Sequence, residues 1–131
     1  MANISGMPES ADMSNYDYFQ NNLGLLLLTL AGVYLVSSFG EELIYRAFLI
    51  NRLTALGLNG KAGQIVVIVL SAVVFGSVHF EWGLTGMVAT GMMGLVMALF
   101  YVFLDKKLWV LVLAHAYLDT ILLVPLFMGL N

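Results

Sequence analysis

The chain has 131 residues, of which 61% are hydrophobic and only 10% charged, with a mean hydropathy of +0.95. Soluble domains carry about 25% charged residues, so this composition excludes a water-soluble globular domain and points to a single integral membrane domain. The net charge of −3, with no basic arm, gives no reason to expect nucleic-acid binding, and the absence of Cys excludes disulfides and thiolate chemistry.

Residues 1–22 read as a polar acidic tail, disordered or lying on the surface, with Glu9, Asp12 and Asp17 among several Asn and Ser. No basic n-region followed by an apolar run is present there, so no signal peptide is read. Residues 23–131 read as the membrane-embedded core. Its pattern predicts an all-α, polytopic bundle of about four transmembrane helices. The first covers 23–50, about 42 Å at 1.5 Å per residue, enough to cross a ~30 Å hydrocarbon core with tilt. A loop at 57–63, rich in Gly and carrying Lys61, precedes a second span over 64–80. A third span covers 83–104. The polar break Asp105-Lys106-Lys107 leads to a fourth over 108–128, ending near Pro125 and Gly129.

The third span carries no charge. Gly86, Thr90, Gly94 and Ala98 recur at every fourth position, with Gly83 and Gly91 adding small surface. Helices in lipid associate by close packing of such residues, so this span is expected to hold the bundle together and to contribute no chemistry. Arg46, Arg52 and Lys61 fall at the first turnaround and Lys106 and Lys107 at the third, two crossings apart. All five basic residues are thus expected on one side, which should be cytoplasmic, with both termini outside. Tyr18, Trp82, Tyr101 and Trp109 lie near proposed helix ends, as an aromatic belt requires.

Against this background eight residues stand out: Glu41, Glu42 and Arg46 in the first span, Phe75 and His79 in the second, and His115, Tyr117 and Asp119 in the fourth. A charge at the bilayer centre costs about 2.5–3.5 kcal/mol on insertion scales, so ionisable groups there face one another, a cavity or a substrate. Glu42 and Arg46 are i,i+4 and can pair. Glu41, rotated about 100° away, lacks that partner and suits a general base. The alternative is a wet helix end on which both acids sit beside Arg46. His115 has Asp119 one turn later on the same face, and an acid within reach can orient an imidazole. His79, taken alone, reads more readily as a structural or accidental histidine at the membrane interface than as a functional one. No HExxH spacing is present, and Ser37, Ser38, Ser71 and Ser77 lie in no GxSxG context. Neither a bound metal nor a serine nucleophile is therefore expected.

Three pieces in this order, Glu41-Glu42-x-x-x-Arg46, Phe75-x-x-x-His79 and His115-x-x-x-Asp119, resemble the motifs of the CAAX-protease and bacteriocin-processing family of intramembrane endopeptidases. The similarity extends over about residues 25–128. It implies a glutamate-dependent, metal-free endopeptidase with no cofactor, cleaving a peptide or lipidated membrane-associated protein in CAAX-type or bacteriocin-type processing or immunity. By that resemblance Glu41 activates a water that His79 helps to orient. His115 and Asp119 stabilise the oxyanion, while Glu42, Arg46 and Phe75 support the site. Position 119 is Asp where the eukaryotic prenyl proteases carry Asn. The family also carries further helices ahead of the first motif, which leaves room for a homo-oligomer. A straight second span sets His79 about 27 Å from Lys61, so either a tilt or a break, as at Gly76, brings it to Glu41, or the site opens far across the membrane. Two rival readings of the same residues stay open: a proton-coupled transporter or channel, and a catalytically silent membrane adaptor.

Overall fold

The computed structural model describes residues 10–130. The part of the expected acidic tail that precedes Ser10 lies outside the described residues. Four helices follow one another: α1 (Leu23–Ala55), α2 (Lys61–Ser77), α3 (Gly83–Phe103) and α4 (Leu108–Phe127). Among the described residues there is no strand. Helices α1, α3 and α4 are long and apolar enough to cross a membrane; α2 is apolar but has 17 residues, about 26 Å, just short of the ~30 Å core.

Helix α2 packs along α3 and α1 along α4, and the second half of α1 also touches α2. The α2–α3 contact is close enough to require glycine. A Cβ on Gly76 would lie 2.7 Å from the Met87 carbonyl oxygen and 2.9 Å from Gly91 Cα. The expected break at Gly76 is therefore not seen: α2 runs through it to Ser77, and Gly76 is the point at which two backbones meet. The ridge Gly86, Thr90, Gly94 and Ala98 is buried as its spacing requires. Pro125 does not end α4, which continues to Phe127. The helix closes when Gly129, at φ +71°, lets its own N–H reach the Leu126 carbonyl (3.0 Å) and the Leu130 N–H reach that of Pro125 (2.9 Å), a Schellman closure.

The surface is inverted relative to a soluble protein. Leu28, Val36 and Leu113 are each 70% exposed, whereas Glu42 and Arg46 are fully buried. Water would penalise that distribution and lipid rewards it. The chain is a multi-pass membrane protein.

The bundle has two unlike ends. At one, Ile50, Val67, Ile68, Met97, Ala98, Tyr101 and Leu111 form an apolar core beneath the 56–60 and 104–107 turns. At the other, the turn after α2, the end of α4 and residues 10–22 meet. There Asp12 N–H donates to the Trp82 carbonyl and Asn21 N–H to that of Phe127, each at 3.1 Å. Ser14–Phe19 forms a short 3-10 turn that buries Phe19 completely against Leu26 and Leu123.

Four side chains sit elsewhere than their sequence positions imply. Arg46 is buried in the bundle, so four basic residues, not five, lie near the turns. Tyr101 is buried, its hydroxyl accepting from Asn51 Nδ2 at 3.1 Å, and Trp82 turns inward against the His79 ring. Neither belongs to a lipid-facing belt. Tyr117 is 68% exposed; two residues on from His115 it lies about 200° around the helix and faces away from the bundle.

Candidate active site

Helix α1 changes geometry ahead of its charged residues. It is α-helical over Leu23–Val33, then winds with i→i+5 bonds over Tyr34–Glu41 and Leu43–Ile50. Wide turns of this kind are rare and concentrate at functional sites. A reading that assumed α-geometry throughout misses them, yet the i,i+4 pairing survives: Arg46 Nη1 lies 3.1 Å from Glu42 Oε1, both side chains fully buried.

Around that pair a dry polar core is assembled. His115 Nδ1–H donates to the same Glu42 oxygen at 2.8 Å, and Arg46 Nη2 donates to the Gly94 carbonyl at 3.3 Å. The guanidinium also stands over the Phe75 ring, 4.5 Å from its centroid, a cation–π arrangement strengthened by desolvation. Phe75 in turn stacks edge-on with Tyr45 at 5.2 Å and lies against the rings of His79 at 4.9 Å and His115 at 6.0 Å. Burial is the reason for this density of contacts, since a charge removed from water is costly unless paired.

Beside this core is a wet one. A cavity of about 370 Å³ is lined by Glu41, Asp119, His79, Ser37, Tyr45 and Tyr16, among others. A second, of about 980 Å³, shares Ser37, His79, Trp82 and Asp119 with it and adds His115 and an apolar wall from α3 and α4. Residues Ser10–Ser14 and Asp17 line the larger cavity. Tyr16 closes over the smaller, and burial, then the nearby Asp119, pushes its phenol above the usual range.

Glu41 Oε2 lies 3.9 Å from His115 Nε2 and makes no hydrogen bond among the described residues. Asp119 Oδ1 is 3.7 Å from the same nitrogen, beyond hydrogen-bond range. The acid that orients His115 is thus Glu42, not Asp119; the i,i+4 spacing on α4 places Asp119 nearby but hands it to a different donor. Ser38, fully buried on α1, donates to Asp119 Oδ2 at 2.7 Å. His79 follows the end of α2, where Nδ1–H donates to the Phe75 carbonyl at 2.8 Å. Both histidines therefore have Nδ1 committed, which leaves Nε2 as the reactive edge. Among the described residues no three His, Cys, Asp or Glu side chains are grouped to hold a metal ion.

The expected residues Glu41, His79, His115 and Asp119, from three parts of the chain, meet at these adjoining cavities, with Glu42, Arg46 and Phe75 behind them. Sequence reasoning missed Ser37, Ser38, Tyr45, Trp82 and Tyr16. A polar Ser-Ser pair one turn before Glu41 in an apolar span was the available signal for the serines; nothing local marks Tyr16 or Trp82.

No curated protein and no solved structure matches the chain. A family model described as type II CAAX prenyl endopeptidase Rce1-like matches residues 23–121, a range that holds Glu41, Glu42, Arg46, Phe75, His79, His115 and Asp119. The chain belongs to the type II CAAX prenyl endopeptidase Rce1-like family.

Proposed function

We propose that this chain hydrolyses peptide bonds within or at the membrane, with Glu41 as general base and no bound metal. The observation that carries this reading is the meeting of Glu41, His79 and Asp119 on one cavity, with His115 Nε2 3.9 Å from Glu41. Family membership supports a CAAX-type membrane protease; the roles of individual residues are inferred from position. Glu41 lines the cavity and keeps 24% of its side chain accessible, so it can take a proton from water there. His79, with Nδ1–H held by the Phe75 carbonyl, offers Nε2 as acceptor for the second water proton. As the water oxygen attacks the carbonyl carbon, negative charge develops on the carbonyl oxygen. His115 Nε2, when it carries a proton, and the carboxylic acid form of Asp119 can donate to that oxygen, a contribution available only as charge develops. Glu41 then returns its proton to the departing amine. Arg46 and Glu42 hold the imidazole and the base in register.

The substrate is a peptide or lipidated protein reaching the cavity from the end of the bundle where residues 10–22 lie. With Arg52, Lys61, Lys106 and Lys107 at the opposite end, on the cytoplasmic side, that mouth and both termini face outward. The apolar core of Ile50, Val67, Met97 and Leu111 lies between the site and the basic end. It favours a one-ended pocket over the continuous polar path that a proton-coupled transporter needs.

Purified protein in lipid vesicles, incubated with farnesylated and unmodified peptides of the same sequence, tests the reading. Cleavage products identified by mass, unaffected by chelator, support it. Chelator-sensitive cleavage restored by zinc overturns the metal-free mechanism, and proton flux without cleavage supports the transporter.

A further inference from the structure

We infer that Ser38 is a positioning residue that decides which oxygen of Asp119 faces the cavity. Four other Ser and Thr hydroxyls in the helices show what such a group does by default. Thr54, Ser77, Thr90 and Thr120 donate to the carbonyl four residues back on their own helix, at 2.7–2.8 Å. That internal bond satisfies the hydroxyl in lipid without any partner. Ser71 and Ser38 depart from it. Ser71 crosses to the Tyr45 carbonyl at 3.1 Å, tying α2 to the wide turns of α1. Ser38 crosses from α1 to a carboxyl 81 positions away on α4, and it is fully buried, with no water to turn towards.

The direction of this bond has a consequence. While the Ser38 hydroxyl donates to Oδ2, as it does to the ionised acid, that oxygen serves as the acceptor. A proton taken up by Asp119 with this bond kept resides on Oδ1, the oxygen 3.7 Å from His115 Nε2. An amide at position 119 is oriented in the same way: its carbonyl oxygen accepts from Ser38 and its NH2 group turns towards His115 and the cavity. Ser38 thus keeps the donor edge of residue 119 on the reacting side, and does so from the same helix, one turn before Glu41. Ser37 lies beside the same carboxyl but lines both cavities, so its hydroxyl can exchange Asp119 for water.

The orientation itself is independent of the hydrolase reading; its effect on turnover rests on that reading. Two measurements keep them apart. Infrared difference spectra against Asp119→Asn identify the Asp119 carboxyl band in the purified protein. That band is expected to shift in Ser38→Ala, alone and in the Ser37→Ala background, and to return towards its original position in Ser38→Thr. If Ser38→Ala does not fold, Ser38→Cys, similar in size and a weak donor, gives the same readout. An unmoved band in whichever of these variants folds overturns the positioning role, whether or not the protein cleaves peptides. Where cleavage is measured, Ser38→Ala is expected to lower kcat by up to about 100-fold, the scale of a slightly misplaced reacting group. KM should stay unchanged, the pH–rate profile should alter, and Ser38→Thr should recover most of the loss. A full-rate Ser38→Ala with the original pH profile overturns the inference. A shifted band in a protein that cleaves nothing leaves the orientation standing and removes the hydrolase reading.

Discussion

Glu41 and Glu42 are adjacent in sequence and chemically identical, yet they occupy opposite environments. Glu42 is fully buried, shared by Arg46 at 3.1 Å and His115 at 2.8 Å through a single oxygen. Glu41, one residue earlier, lines a cavity, keeps 24% of its side chain accessible and makes no short ion pair. One carboxylate ties α1 to α4; the other faces a cavity. The difference comes from rotation around α1, which turns Glu42 towards His115 of α4 while Glu41 looks into the gap under residues 10–22. Buried charges are costly unless paired, and Glu42, Arg46 and His115 pair with one another, while Glu42 Oε2 and Arg46 Nε keep no hydrogen-bond partner among the described residues.

The dry set is the easier to break. Arg46→Ala strands Glu42 and removes the cation from the Phe75 face. It is expected to cost about 3–5 kcal/mol, read as a lower unfolding temperature and lower yield in detergent. Unchanged melting would show that the pair is not structurally coupled. Close packing behind the site comes next. Gly76→Val forces α2 and α3 apart at the Gly91 contact, with an expected cost of about 1–3 kcal/mol and a parallel loss of activity; a normal melting curve would contradict the backbone approach.

The wet set should respond differently. Asp119→Asn is expected to melt normally and to keep cleavage within about tenfold of the native chain, with activity extended to higher pH, because the amide donates without needing a proton. A pH–rate profile measures this. A loss of several hundredfold at every pH would show that Asp119 acts as an anion instead. The smallest effect belongs outside both sets. The Tyr34 hydroxyl and Thr120 are 2.6 Å apart on the lipid-exposed side of α1 and α4. Tyr34→Phe should cost about 0.6 kcal/mol of stability and leave cleavage rates untouched; a strong kinetic effect would mean that the site extends to that face.

Much of this was legible in the sequence, because lipid leaves few ways to place a charge. Ionisable residues in apolar spans had to meet, and i,i+4 spacing identified Glu42–Arg46 as a pair. Helix ends followed from Gly and Lys punctuation to within a few residues. What was not legible depends on long-range geometry. The i→i+5 turns of α1 have no period that a hydrophobic pattern reveals. Spacing along α4 predicted Asp119 as the partner of His115, whereas the partner came from another helix, since Glu42 Oε1 lies nearer Nδ1. Polar residues 10–22 looked like a surface tail, but Phe19 and Tyr16 within them are the groups that pack, and they are outnumbered locally by Asn, Asp and Ser.

The central claim, that neighbouring carboxylates divide support from chemistry, is tested most directly by measuring cleavage rate and unfolding temperature together in Glu41→Gln and Glu42→Gln. The account predicts that Glu41→Gln melts like the native chain and loses turnover by about 10²–10⁴-fold, the scale of a general base, whereas Glu42→Gln lowers the unfolding temperature as well as the rate. Retained cleavage in Glu41→Gln would contradict it.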